Sequence, residues 1–153
     1  VWAVREMLPV KSVARLSMYG NMPLVKELRV FVSGGQIVCS HCYWPRGAVY
    51  EGLPPTKEKL NYGNLNLSRE WETTPDGNRD RLASELHAKV SDFDERDYFE
   101  WSRLARQVAQ VFKDDGAWSV DILWTERGLF VTDLAEAERS YHVRECPNAK
   151  RKW

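Results

Sequence analysis

Several things are missing from this sequence, and each absence narrows the reading. There is no net charge, because Lys plus Arg and Asp plus Glu each total 22, so no global field draws the chain to nucleic acid or an anionic membrane. Nucleic acid is therefore not an expected partner. No apolar run approaches the roughly 20 residues that span a bilayer, and the N-terminus lacks the charged-then-apolar layout of a secretion signal. No membrane partner is expected. Cysteine is scarce: three residues are an odd number and too few for a disulfide scaffold, which favours a reducing, cytoplasmic setting. The phosphate-cradling loop G-x-x-x-x-G-K-[ST], the dinucleotide fingerprint G-x-G-x-x-G and the adenylylated-lysine motif K-x-D-G are all absent. No internal repeat or low-complexity tract occurs. At 153 residues the chain suits one domain, expected over 1–147 with a basic tail at 148–153. It starts at Val1, without Met, inside a strand-like run, so a preceding region is expected.

What is present reads as α+β. Val1–Leu8 is rich in strand formers and Pro9 stops it. Leu24–Val32 and Gln36–Trp44 are strand candidates on either side of Ser33-Gly34-Gly35, a strong hairpin signal. Alternation puts Leu28, Val30 and Val32 on a core face and Glu27, Arg29 and Phe31 on the other. Pro45 to about Asn78 has no clean period and reads as loop. A short helix is expected around Asp80–Val90, and a long one over Asp94–Lys113. In the long helix Trp101, Leu104, Ala105, Val108, Ala109, Val111 and Phe112 form an apolar stripe that Gly116 ends. Core packing explains its aromatic residues. A second hairpin follows, Trp118–Thr125 and Leu129–Ala137. The expected architecture is a largely antiparallel sheet of two hairpins plus a hinge strand, covered by one long helix and a second short one.

The second hairpin carries the most specific chemistry. With Glu126-Arg127-Gly128 as a three-residue loop, Thr125 faces Leu129 and Asp121 falls opposite Asp133. Opposed residues have Cβ atoms about 5 Å apart, and two acids at that spacing repel unless a cation or bases resolve them. Hard Mg²⁺ suits such oxygens, with Glu136 and Glu138 as neighbouring acids; solvated acids on an exposed sheet face are the plainer alternative. Val120, Ile122 and Trp124 would share the opposite face with Phe130, Thr132 and Leu134. Cys39-Ser40-His41-Cys42 invites a zinc reading with His142 and Cys146 as far partners. Cysteines three apart on a strand point to opposite faces, however, and core cysteines are the better explanation. His87 reads as a surface helix residue, while Tyr43 and Trp44 are candidates to line a cleft.

Taken together, VREML, the strand-turn-strand KELRVFVSGGQIVC, the long helix, and Val120-Asp121 followed by Gly128-Leu129-Phe130-Val131-Thr132-Asp133 resemble the ATP-grasp superfamily. The wording HCYWP and DLAEAERSYH is similar to its phage and bacterial branch named for one arginine and two lysines. The resemblance covers Ala3 to about His142. It implies ATP and Mg²⁺ as cofactors and a ligase activity, in which ATP phosphorylates a substrate carboxylate that an amine or similar nucleophile then attacks. Glu6, Met7 and Leu8 would lie along adenine, and Arg29 would be the catalytic phosphate contact beside Glu27. Lys11 and Lys26 are the nearby bases, His142 a further nucleotide contact, and Asp121 and Asp133, with Glu136, the metal ligands. Where many ATP-grasp enzymes have an asparagine two residues after the final acid, this chain has Ala135. The partner implied is a carboxylate-bearing small molecule or peptide. The rival expectation is a non-catalytic nucleotide-binding or structural module on the same fold.

Overall fold

A computed structural model describes residues 8–53 and 75–151. The strand expected over Val1–Leu8 lies almost wholly outside these residues, and Leu8 itself is in irregular chain leading to β1 (Ala14–Leu16). β1 pairs antiparallel with β2 (Met22–Leu24) as a small separate sheet. β3 (Glu27–Ser33) and β4 (Gln36–Cys42) follow as a hairpin. Gly34 and Gly35 turn it with φ of 57° and 77°, the left-handed pair that a two-residue turn between twisted strands requires.

Next come α1 (Arg46–Gly52), α2 (Pro75–Ser91) and α3 (Glu95–Val111), then β5 (Ala117–Thr125) and β6 (Gly128–Glu136). The fold is thus α+β, with a four-stranded antiparallel sheet in the order β4-β3-β5-β6. Among the described residues no helix is long and apolar enough to cross a membrane.

Residues 46–52 are helical, not loop, and α2 spans 17 residues, as many as α3, where a short helix was expected. Neither stretch shows a regular apolar period from end to end, because each hides only a few side chains. Val49 on α1 and Leu82, Ala83, Leu86 and Val90 on α2 close over Leu16 and Leu24 of the small sheet and over Trp44. Arg46 holds the two helices together through Ser84 Oγ at 2.8 Å and the Asp80 carboxylate. Gly52 permits close approach, since a Cβ there would sit 2.9 Å from Leu16 Cδ1.

The larger core lies between α3 and one sheet face. Asp94 caps the helix: its side chain accepts from Asp97 N at 2.8 Å, and the Asp97 carboxylate accepts from Asp94 N at 3.1 Å. Trp101, Ala105 and Ala109, four residues apart, pack on Leu28, Val30, Val32, Val120 and Ile122. Val111, expected in that stripe, is 73% exposed, because two residues beyond buried Ala109 is a rotation of about 200° at 3.6 residues per turn, away from the sheet.

Candidate functional site

The opposite face of the sheet holds the charge. Alternation and register set three rows across β4, β3, β5 and β6. The middle row runs His41, Arg29, Asp121, Asp133. One row toward the strand-β3 start are Glu27, Leu123 and Phe130, with Tyr43 adjoining through its backbone N–H to Glu27 O at 3.0 Å. The other row is Cys39, Phe31, Ser119, Ala135.

Asp121 and Asp133 are opposed as expected, but by a different route. The turn has two residues, Thr125 pairing with Gly128, which alone would set Asp121 against Thr132. A bulge then inserts Thr132 and returns Asp133 to that place. Ahead of the bulge the phase is reversed from the expectation: Leu129 and Val131 face α3, while Phe130 lies on the polar face, where the Arg127 guanidinium sits 5.4 Å from its ring centre. Thr132 likewise joins the polar side, donating to Glu27 Oε1 at 3.2 Å.

Arg29 grips Asp121 with two bonds, Nε to Oδ1 and Nη2 to Oδ2, both 2.8 Å. The pair is enclosed, with side chains 14% and 4% exposed. Burial opposes the Arg29 cation, but the bonds and charge of Asp121 outweigh it and raise its pKa. Asp133 is exposed. Glu27 is pushed up to about 7, first by burial and then by the Asp121 charge. Three carboxylates therefore share one face, and the repulsion expected between Asp121 and Asp133 is relieved on the Asp121 side by Arg29.

Other expected contacts are elsewhere. The register sets Glu136 opposite Trp118, on the α3 side, where it pairs with Arg139 at 2.9 Å. An odd separation from Asp133 on one strand makes this unavoidable. Lys26 is also on the α3 side, paired with Asp97 and with its ammonium 5.0 Å from the Phe93 ring centre. Lys11 is exposed in the irregular chain before β1, and Leu8 is half-buried there. Glu6 and Met7 lie outside the described residues.

Beyond β6 a short 3-10 turn, Ala137–Arg139, sends the C-terminal segment back over the third row. Ser140 Oγ meets Ser119 Oγ at 2.5 Å, and the His142 ring stacks on Phe31 at 4.2 Å and 9°. Phe31, expected on an open face, is thereby wholly buried. His142 Nε2 is 3.3 Å from Cys39 Sγ. Burial lowers the pKa of both His41 and His142, and it pushes the Cys39 thiol, with Cys146 beside it, up to about 12. Asn148 and Arg151 reach the surroundings of Cys39.

A groove of about 850 Å³ opens beside the middle row, walled by Arg29, Tyr43, Trp44, Arg46, His87 and Tyr141, among others. The Arg29 guanidinium lies 4.7 Å from the Tyr43 ring centre, so it borders both the acids and this groove. Tyr43 and Trp44 line a cleft, as the sequence suggested, and His87 joins them. Sequence reasoning did not place His41 in the charged row. The signal was not local: the two-residue turn alone would set Arg29 against Ser40, and a bulge in β4 brings His41 to that place instead. Comparison with known proteins adds nothing to this geometry, since no family model, curated protein or solved structure matches the chain.

Proposed function

We propose that the charged sheet face is a nucleotide-phosphate and metal site, and that the chain is an ATP- and Mg²⁺-dependent ligase domain activating a carboxylate for attack by an amine or similar nucleophile. The observation that carries this reading is the gathering of acids: Glu27, Asp121 and Asp133 share a row and its neighbour, with Arg29 bound to Asp121 among them. Carboxylate oxygens are the donors that Mg²⁺ prefers, and Glu27, held near neutrality by burial, is a group that a cation would ionise. The donors are of the chemical type the ion prefers, but among the described residues these three carboxylates do not bring ligand atoms within 4.8 Å of one another, so their side chains would have to move together on binding. Glu27, Asp121 and Asp133 would hold it, with Glu27 in the place first given to Glu136. Once bound, Mg²⁺ supplies charge neutralisation between carboxylate and phosphate oxygens.

The chain's own contributions follow from position. Arg29 keeps Nε and Nη2 on Asp121, so Nη1, which donates to the Tyr141 carbonyl at 3.5 Å, is the nitrogen a phosphate oxygen would take at the border between acids and groove. Tyr43 and Trp44 offer apolar wall to the rest of a ligand, in a groove within the roughly 300–1,000 Å³ of small-molecule sites. Phosphoryl transfer needs this kind of positioning and charge stabilisation more than covalent help. The carboxylate substrate would be a small molecule or peptide, and three free cysteines accord with a reducing, cytoplasmic setting.

A second reading has its own support. Both Asp121 oxygens are already bound by Arg29, and Ala135 offers no amide, which favours a nucleotide-binding or structural module without turnover. ATP titrated with and without Mg²⁺ tests the first claim: binding should require the metal and be lost in Asp121→Asn and Asp133→Asn. Binding that ignores both substitutions, or no binding at all, ends the proposal. Release of ADP in the presence of candidate carboxylates and amines then separates ligase from module.

A further inference from the structure

Away from the acids, the C-terminal segment meets β4 through a second cluster. We propose that Cys39, His142 and Cys146 form a zinc site, with His41 at its fourth position, that fastens the C-terminal segment to the sheet. One ligand atom from each of Cys39, His142 and Cys146 lies within 4.8 Å of the other two. Tetrahedral zinc, with Zn–S about 2.3 Å and Zn–N about 2.0–2.1 Å, sets sulfur and nitrogen about 3.6 Å apart and two sulfurs about 3.8 Å apart. The Cys39 Sγ to His142 Nε2 distance of 3.3 Å is already close to that edge.

His41 supplies an independent observation. It follows Cys39 by two residues on β4 and so shares its face, and its ring centre is 5.5 Å from that of His142. His41 Nδ1 is 2.8 Å from the Cys42 carbonyl oxygen, which fixes the proton on Nδ1. Nε2 is left with its lone pair, buried and without a hydrogen-bond partner. A backbone carbonyl holding one ring nitrogen while the other is free to coordinate is the arrangement found around metal-bound histidines. His41 is not within the three-residue group, so its ring would have to move toward the other three to complete a Cys₂His₂ set. Two thiolates and two imidazoles select zinc over magnesium or calcium.

The pattern of cysteines makes the idea easy to break. Cys42, in the same C-x-x-C run, turns to the other side of the sheet and contacts the Val90 carbonyl on α2 at 3.8 Å. The four functional positions are therefore a C-x-H pair on a strand and an H-x-x-x-C pair on a folded-back segment. Binding converts two thiols to thiolates and releases two protons, with no change of oxidation state.

The test uses the whole chain, stripped of metal and kept reduced, titrated with Co²⁺ as a spectroscopic probe and then with Zn²⁺. Expected are one ion per chain, intense thiolate-to-cobalt absorption with tetrahedral ligand-field bands, and displacement by Zn²⁺. Cys39→Ser, Cys146→Ser and His142→Ala should lose the signal while circular dichroism shows them folded. Cys42→Ser should keep it, and His41→Ala should weaken binding. Zn²⁺ should also slow amide exchange over 137–151. Absence of a stoichiometric complex in the reduced wild type overturns the site, as does equal loss in Cys42→Ser. Recovery of Cys39 and Cys146 as a disulfide that reductant opens without restoring metal binding overturns it too. An unchanged His41→Ala removes that residue from the fourth position.

Discussion

Under α3, strands β3 and β5 show Leu28, Val30, Val32, Val120 and Ile122, each at most 2% exposed. One residue away in either direction, the same strands show Glu27, Arg29 and Asp121 on the other face. The two faces share a backbone and a register and differ in what makes burial favourable. Apolar atoms gain by leaving water wherever they pack, roughly 25 cal/mol per Å². Charges gain only if each finds a partner of fixed geometry, and losing that partner strands the other. One face should therefore fail gradually, methylene by methylene, and the other in whole pairs.

The largest expected effect breaks a pair. Asp121→Ala leaves Arg29 enclosed and unpaired, and should cost about 3–5 kcal/mol in denaturant unfolding. A merely solvated pair would cost about 1 kcal/mol or less, which would erase the contrast between the faces. The double variant Arg29→Met with Asp121→Leu should recover much of that loss. On the covered face, Ile122→Val should cost about 0.5–1.5 kcal/mol, with the midpoint moving and the denaturant slope unchanged.

Glu27 sharpens the comparison through pH. Its folded pKa, about 7, is above the ordinary 4.5, so the folded chain holds a proton that the unfolded chain gives up. Its contribution to stability is complete below about pH 4.5, falls as pH rises toward 7, and is flat above. Thermal unfolding followed across that window should show the decline, and Glu27→Gln should flatten it. The smallest effect belongs to Lys26→Met. The Lys26–Asp97 pair is only partly covered, and its removal should change stability by about 1 kcal/mol or less in the same unfolding assay.

Much of this contrast was legible beforehand. The Gly34-Gly35 turn, the division of β3 into Leu28-Val30-Val32 and Glu27-Arg29-Phe31, and the α3 stripe around Trp101, Ala105 and Ala109 follow from local rules of turn chemistry and period. The opposition of Asp121 and Asp133 was legible too, although a three-residue turn was the wrong reason for it. What escaped depends on contacts distant in sequence. Nothing near residue 46 announces α1, whose one turn of buried surface is defined by Leu16 and Leu82. Phe31 reads as open until the segment after β6 lays His142 on it. Cys39 is about a hundred residues from His142 and Cys146, and only the return of the C-terminal segment makes them neighbours.

The extra residue in β6 leaves a consequence for how this hairpin tolerates change. Without Thr132, Asp133 would still fall against Asp121 and Leu134 against Val120, so strict alternation does not need it. What its removal takes away is a hydroxyl that reaches both Glu27 and the Asp121 carbonyl, at 3.2 and 3.3 Å. A chain one residue shorter here would keep its alignment and lose a tether, which separates the constraint of folding from the constraint of chemistry at a single position.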